Sequence, residues 1–145
     1  IVYGLMPAAN TGAYCAAKFA VRGYTETLAQ ELRGTGIEVS CVFPGGIRTG
    51  IARSMRFNRA ISGLTREEAQ GLYEARLLKI SADTAARTIV AAIRSNRRRI
   101  LIGTSARVVD LAIRCCPVAF ADLSNLLGHW AVRSWQRRGG QRSKD

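Results

Sequence analysis

The chain has 145 residues, 48% of them hydrophobic and 22% charged, a balance that supports one packed domain and excludes a wholly disordered segment. Its 22 Lys and Arg against 10 Asp and Glu give a formal charge of +12, most of it late in the chain: residues 87–145 hold twelve basic residues and three acidic ones. No apolar run approaches the roughly 18 residues that cross a bilayer, and no zinc-finger or RRM-type signature accompanies the charge, so a membrane span and a nucleic-acid partner are both set aside.

In chain order, Ile1-Val2 reads as the end of a strand. The chain opens at Ile1 with its first methionine at Met6, and nothing before the first motif resembles a targeting segment, which predicts a piece of a longer protein. From Ala13 to Leu32 the apolar positions Val21, Tyr24, Leu28 and Leu32 recur at helical steps, and Gly34 and Gly36 then stop the helix. Ile37, Val39, Cys41 and Phe43 alternate as a strand would, until Pro44-Gly45-Gly46 breaks the run.

Thr65-Arg66-Glu67-Glu68 has the hydroxyl and carboxylate spacing of a capping box and predicts a helix running towards Leu78. Ser81 is placed to cap the next helix, whose expected apolar face is Ala82, Ala85, Ala86, Ile89, Val90 and Ile93 and which ends near Asn96. Ile100-Leu101-Ile102-Gly103 follows as a short buried strand. From Ser105 onward the chain is helical with a break at Pro117, a stripe of Phe120, Leu123, Leu127 and Trp130, and then Arg133, Arg137 and Arg138.

Helices alternating with strands imply a parallel sheet covered by helices, because parallel neighbours need a crossover connection. The expected class is therefore α/β. Three regions are expected: residues 1–103 as the α/β portion, with an insertion over 50–80, then 104–138 as a helical extension and 139–145 as a disordered tail. Cys15, Cys41, Cys115 and Cys116 show no metal-ligand spacing and are expected to be reduced, buried thiols, with no metal site. His129, beside Trp130, reads as a packing or surface residue.

Chemistry is concentrated in Tyr14-Cys15-Ala16-Ala17-Lys18, which sets a phenol and an ammonium four residues apart on one helical face. A tyrosine ordinarily keeps its proton until about pH 10, but a neighbouring cation favours the phenolate. Tyr14 is then suited to taking a proton from an alcohol or giving one to a carbonyl.

Gly4-Leu5, the run Ala16 to Val21 around this motif, and Pro44-Gly45-Gly46-Ile47-Arg48-Thr49 at the end of the next strand form an ordered set. The set resembles the short-chain dehydrogenase/reductase family over roughly residues 1–103. The resemblance implies the C-terminal half of a doubly wound, parallel-sheet, Rossmann-like fold and an oxidoreductase that uses NAD or NADP to interconvert an alcohol and a ketone. By that likeness Tyr14 is the catalytic acid/base, and Lys18 lowers its pKa and binds the nicotinamide ribose. Pro44, Gly45, Ile47 and Thr49 then lie against the nicotinamide, with the Ile47 backbone and the Thr49 hydroxyl on its carboxamide. Independently, ligands of open parallel sheets sit beyond the carboxyl ends of the strands, where this bend falls. Residues 50–80 correspond to the family's substrate lid, where Met55, Phe57 and Leu64 suggest an apolar alcohol or carbonyl substrate.

The sequence departs from the family's pattern in two places. The family's polarising serine would fall at Ile1, whose side chain has no hydrogen to donate. No T-G-x-x-x-G-x-G segment for the cofactor pyrophosphate occurs in the 145 residues, and neither does N-N-A-G. The isolated chain is accordingly expected to be inactive. In this family the helix bearing the tyrosine also builds a subunit interface, so the small residues Ala16, Ala20 and Gly23 imply a homo-oligomer, or alternatively a non-catalytic dimerisation module. For residues 118–138, where apolar residues meet arginines, two expectations stand: a helix packed on its own domain or on a second subunit, which is favoured, and peripheral membrane contact. The location implied is cytoplasmic or membrane-peripheral.

Overall fold

The structure, a computed structural model, describes residues 2–50, 54, 65–72, 74–75 and 78–139. After a short 3₁₀ turn at Val2–Gly4, the described elements are α1 (Gly12–Glu31), β1 (Cys41–Pro44), β2 (Ile47–Arg48), α2 (Arg66–Leu72), β3 (Ile80–Ser81), α3 (Ala82–Arg94), β4 (Arg99–Ile102), α4 (Thr104–Cys115) and α5 (Pro117–Gly139). β1 and β4 pair in parallel, with Cys41 opposite Arg99 and Pro44 opposite Ile102. The pairing is prolonged by the Gly45 amide, which donates to the Ile102 carbonyl at 2.9 Å. β2 and β3 form a second parallel pair, Ile47 opposite Ile80. Parallel strands joined through helices make this an α/β fold, part of a Rossmann-like domain, as expected.

Ala85 and Ala92 of α3 close on Ile100 and Ile102 of β4, with Val42, Ile47, Ile80 and Ile89 packed around them. Alanines at the helix contact let α3 lie close to the strands. Ser81 caps α3 as its sequence predicts, accepting a hydrogen bond from the Thr84 amide at 3.1 Å. The Thr65–Glu68 box is also closed: the Thr65 amide donates to Glu68 at 2.8 Å and the Glu68 amide to Thr65 at 3.2 Å.

Five expectations need correction, the last of them in α1. Val2–Gly4 is a 3₁₀ turn rather than a strand end, closed by the Leu5 amide donating to the Val2 carbonyl at 2.7 Å. β1 starts only at Cys41, because its partner is four residues long and Ile37 has no ladder to join; Ile37 is exposed. On α3 the inward face is Ala85, Ile89 and Ala92, while Val90 and Ile93 face outward with Ala82 and Ala86. Cys115 and Cys116 are exposed rather than buried, since they end α4 at the break before Pro117; all four cysteines are free.

α1 departs most. Val21 and Tyr24, expected to face the core, are 58% and 71% exposed. The buried or half-buried positions are Cys15, Lys18, Arg22, Thr25, Leu28, Ala29 and Leu32, a face at three- and four-residue steps. The first half of the inner face therefore carries the polar side chains Lys18, Arg22 and Thr25, while of the expected stripe Val21 and Tyr24 look outward and Leu28 and Leu32 stay inside. Most of the insertion, including Met55, Phe57 and Leu64, and most of the expected tail lie outside the described residues.

Candidate functional site

Tyr14 and Lys18 meet. The Lys18 ammonium lies 5.4 Å from the centroid of the Tyr14 ring, a cation–π arrangement that one helical turn of separation makes available. Tyr3 supports the same ring from the preceding turn, edge to face, with centroids 5.9 Å apart. Tyr3 was not singled out from the sequence, although its place just ahead of Gly4 was the available signal.

Gly4 fixes how closely this turn approaches α1. A β-carbon there would lie 3.3 Å from the Lys18 carbonyl oxygen and 3.7 Å from the Lys18 β-carbon. Arg22, one turn further along the inner face, reaches the Gly4 carbonyl at 3.5 Å. The polar inner face of α1 is thus used twice against the Val2–Gly4 turn, through Lys18 and through Arg22.

Pro44, Gly45, Ile47 and Thr49 occupy the carboxyl end of β1 and the passage through β2. Gly45 is buried, and a β-carbon on it would stand 2.6 Å from the Ser105 hydroxyl and 3.0 Å from the Ile102 carbonyl. Gly103, at the carboxyl end of β4, has φ 85° and ψ 160°, a conformation suited to glycine alone, and a β-carbon there would overlap the Ile80 side chain. The Ile80 amide donates to the Gly46 carbonyl at 3.0 Å. Ile80 is therefore the bonded member of its pair, and the N–H and C=O of Ile47 are directed away from β3. Thr49 follows β2 and is exposed.

The electrostatics of Tyr14 differ from the expectation drawn from its neighbour. Burial, with a smaller contribution from the Cys15 thiol, pushes its phenol above the ordinary tyrosine value. The ammonium sits over the ring face, where it stabilises the π-system. The resting chain accordingly favours the protonated phenol.

A second cluster went unnoticed in the sequence because its members are dispersed. At the amino ends of β1 and β4, Arg99 pairs with Asp110 of α4 and, at 3.3 Å, with Glu26 of α1; Arg114 joins Asp110 at 3.2 Å. The Arg99 guanidinium also lies 4.5 Å over the Phe43 ring, and its Nε has no hydrogen-bond partner among the described residues. Desolvation raises the Asp110 carboxyl, but hydrogen bonding and charge from Arg99, with help from Arg114, outweigh it and hold the group below the usual carboxylate value. A cleft of about 320 Å³ opens beside this cluster, bordered by Thr25, Glu26, Cys41, Arg98 and Arg99, and none of the six predicted site residues lines it. Burial, then the charge of Glu26, pushes the Cys41 thiol up, which keeps it an unreactive thiol. No cluster of metal-ligating residues occurs among the described residues.

The sequence profile described as short chain dehydrogenase matches residues 2–60, the stretch that holds Tyr14, Lys18 and the Pro44–Thr49 bend. SadH of Mycobacterium tuberculosis, a proposed oxidoreductase, is 36% identical over 115 residues, 78% of this chain and 41% of SadH. Retinol dehydrogenase 7 of Mus musculus is 30% identical over 70 residues, 46% of this chain and 22% of its own length. 3-Ketodihydrosphingosine reductase of Bacteroides thetaiotaomicron is 45% identical over 62 residues, 43% of this chain and 22% of its own. No solved structure matches. The chain belongs to the short-chain dehydrogenase family, and it spans about two fifths of the length of SadH.

Proposed function

We propose that the protein containing this chain is an NAD(P)-dependent oxidoreductase that interconverts an alcohol and a ketone, with Tyr14 as acid/base and Lys18 as its partner. The observation that carries this reading is the seating of the Lys18 ammonium on the Tyr14 ring, on the helix turn that packs against Gly4. The residues fit the nicotinamide-ribose end of such a cofactor. Tyr14 and Lys18 offer a phenol and an ammonium that are both partly exposed, and the Ile47 amide and carbonyl face away from the ladder that would otherwise consume them. A bound nicotinamide supplies the hydride acceptor or donor.

Lys18 would hold the ribose hydroxyls, Ile47 and Thr49 the carboxamide, and Pro44 and Gly45 the bend that brings them there. In the reducing direction the Tyr14 hydroxyl donates its proton to the oxygen that becomes the alcohol. In the oxidising direction the phenolate takes that proton back. The raised resting pKa favours proton donation near neutrality, so reduction of a carbonyl is the direction suited to neutral pH and oxidation rises as the solution is made more alkaline.

An apolar substrate is favoured by Met55, Phe57 and Leu64 in the insertion and by the names of two relatives, a retinol dehydrogenase and a ketodihydrosphingosine reductase. The 145 residues alone contain no turn for the pyrophosphate, so the chain by itself would not turn over. The test is Tyr14→Phe in the full-length protein, assayed by NAD(P)H consumption against apolar ketones. Loss of turnover with cofactor binding retained supports the assignment; a variant as active as the parent overturns it.

The outer face of α1, where Ala16, Ala20, Gly23, Val21 and Tyr24 are all exposed, favours pairing with a second copy. A mass corresponding to two copies, lost in Ala20→Arg, would support that contact.

A further inference from the structure

The last helix has a solvent face unlike that of a self-contained domain. On α5 the half-buried positions Phe120, Ala121, Ser124, Ala131, Val132 and Ser134 lie on one side, and Val132 packs against Ala69 and Leu72 of α2. On the opposite side Ala119, Leu123, Leu126, Trp130, Arg133 and Arg137 succeed one another at steps of four, three, four, three and four residues, so they form one stripe. Every member is exposed, Leu126 at 67% and Trp130 at 63%. The stripe passes from aliphatic through indole to guanidinium along the helix, and a cleft of about 320 Å³ bordered by Trp130, Arg133, Ser134 and Arg137 opens where the apolar part ends.

We infer that this stripe is a docking surface for an anionic phospholipid bilayer. Leucines beside a tryptophan whose indole sits at the polar boundary, followed by arginines that can reach back to headgroup phosphates, is the order that an interfacial helix requires. Charge selects the partner. The chain carries +12 overall, and residues 87–145 hold twelve basic residues against three acidic ones.

Parallel pairing of this stripe with a second copy would set Arg133 and Arg137 against their own counterparts, which disfavours self-association. The negative end of the helix dipole accounts for arginines in the last turns. It does not account for two of them continuing the line of Leu126 and Trp130. None of the described helices is long and apolar enough to cross a membrane, so contact at the surface is the form proposed.

The test uses the full-length protein and vesicles of phosphatidylcholine alone or mixed with phosphatidylserine, read by co-sedimentation and by tryptophan emission. Binding to the phosphatidylserine vesicles, weakened by salt and accompanied by a blue shift, is the expected result. Neutralising Arg133→Gln or Arg137→Gln should weaken it about fivefold each and about twenty-five-fold together, the value of roughly one headgroup contact per arginine. Leu126→Glu should weaken it further, and Asp122→Asn, on the same exposed side, should strengthen it. All four positions are exposed, so the fold and the oxidoreductase activity should be retained in each variant.

Equal binding to both vesicle types, or none, overturns the proposal. So does a dimer abolished by Leu126→Glu, which would make a second copy the occupant, or full displacement by millimolar inorganic phosphate, which would make the cleft a simple anion site. An emission maximum already blue without vesicles, together with no lipid binding, would place the stripe against another part of the same protein and overturn it as well.

Discussion

At the carboxyl ends of β1 and β4 the chain is fitted by side chains that are absent: Gly45 and Gly103 leave no room for a methyl group beneath Ser105, Ile102 and Ile80. The amino ends of the same two strands are held by charge, with Arg99 joined to Glu26, Asp110 and the Phe43 ring. One end is a steric fit that is indifferent to pH, and the other is an ionic fit that depends on it. This difference accounts for the predicted site lying at the glycine end. A ligand approaching backbone needs space and directed N–H and C=O groups, whereas at the arginine end both terminal nitrogens of Arg99 are held by Glu26 and Asp110.

Four substitutions probe the site and the two strand ends. Tyr14→Phe in the full-length protein should lower kcat by about 10² to 10⁴, equivalent to roughly 3–5 kcal/mol of barrier, and leave the melting temperature in place. A large loss of stability instead would make Tyr14 a structural residue of the Tyr3–Tyr14–Lys18 stack.

Asp110→Asn should destabilise the fold by about 3 kcal/mol at neutral pH, because Arg99 and Arg114 lose the carboxylate they share and half-buried Arg99 keeps Glu26 alone. The folded-state pKa of Asp110 is depressed, so its contribution is complete above the unfolded value of about 3.9 and disappears as pH falls through the folded value. Denaturant melts of parent and variant should therefore converge in acid; curves that stay parallel down to the acid limit would remove the ionic account of that end.

Gly103→Ala should cost about 2 kcal/mol through backbone strain and overlap with Ile80, with no dependence on pH. Ser81→Ala should cost about 1 kcal/mol by uncapping α3, measured as a small drop in thermal midpoint. If Gly103→Ala shows the same pH profile as Asp110→Asn, the two ends are not distinct.

Much of this architecture was legible because its signals are local. The capping residues Thr65, Glu68 and Ser81, the glycine stop at Gly34 and Gly36, and the Pro117 break each act within one turn of chain, and each sits where the sequence predicts. The α/β class followed from the alternation of elements, and the family from the ordered set around Tyr14 and Pro44. The inner face of α1 was misread because Lys18, Arg22 and Thr25 look like a solvent face. They are turned inward by partners far away in sequence or by the geometry of the site itself. Arg99 was missed for the same reason: its run Arg97-Arg98-Arg99 reads as a solvated cluster, and only the pairing of β4 with β1 brings Glu26 and Asp110 to it. For Tyr3 the one local signal was its place just ahead of Gly4.

The ladder between β1 and β4 joins residues more than fifty positions apart, with β2, α2, β3 and α3 all lying in the connection. Closing a loop of that length carries a conformational cost that short-range contacts do not, so α1 and α3 can gather before the strands find each other. During synthesis β1 must wait unpaired on its β4 side until Ile102 has been made, with Val42 and Phe43 uncovered there in the meantime. The order of birth along the chain thus makes this pair of strands the latest to be secured and the most open to wrong partners on the way.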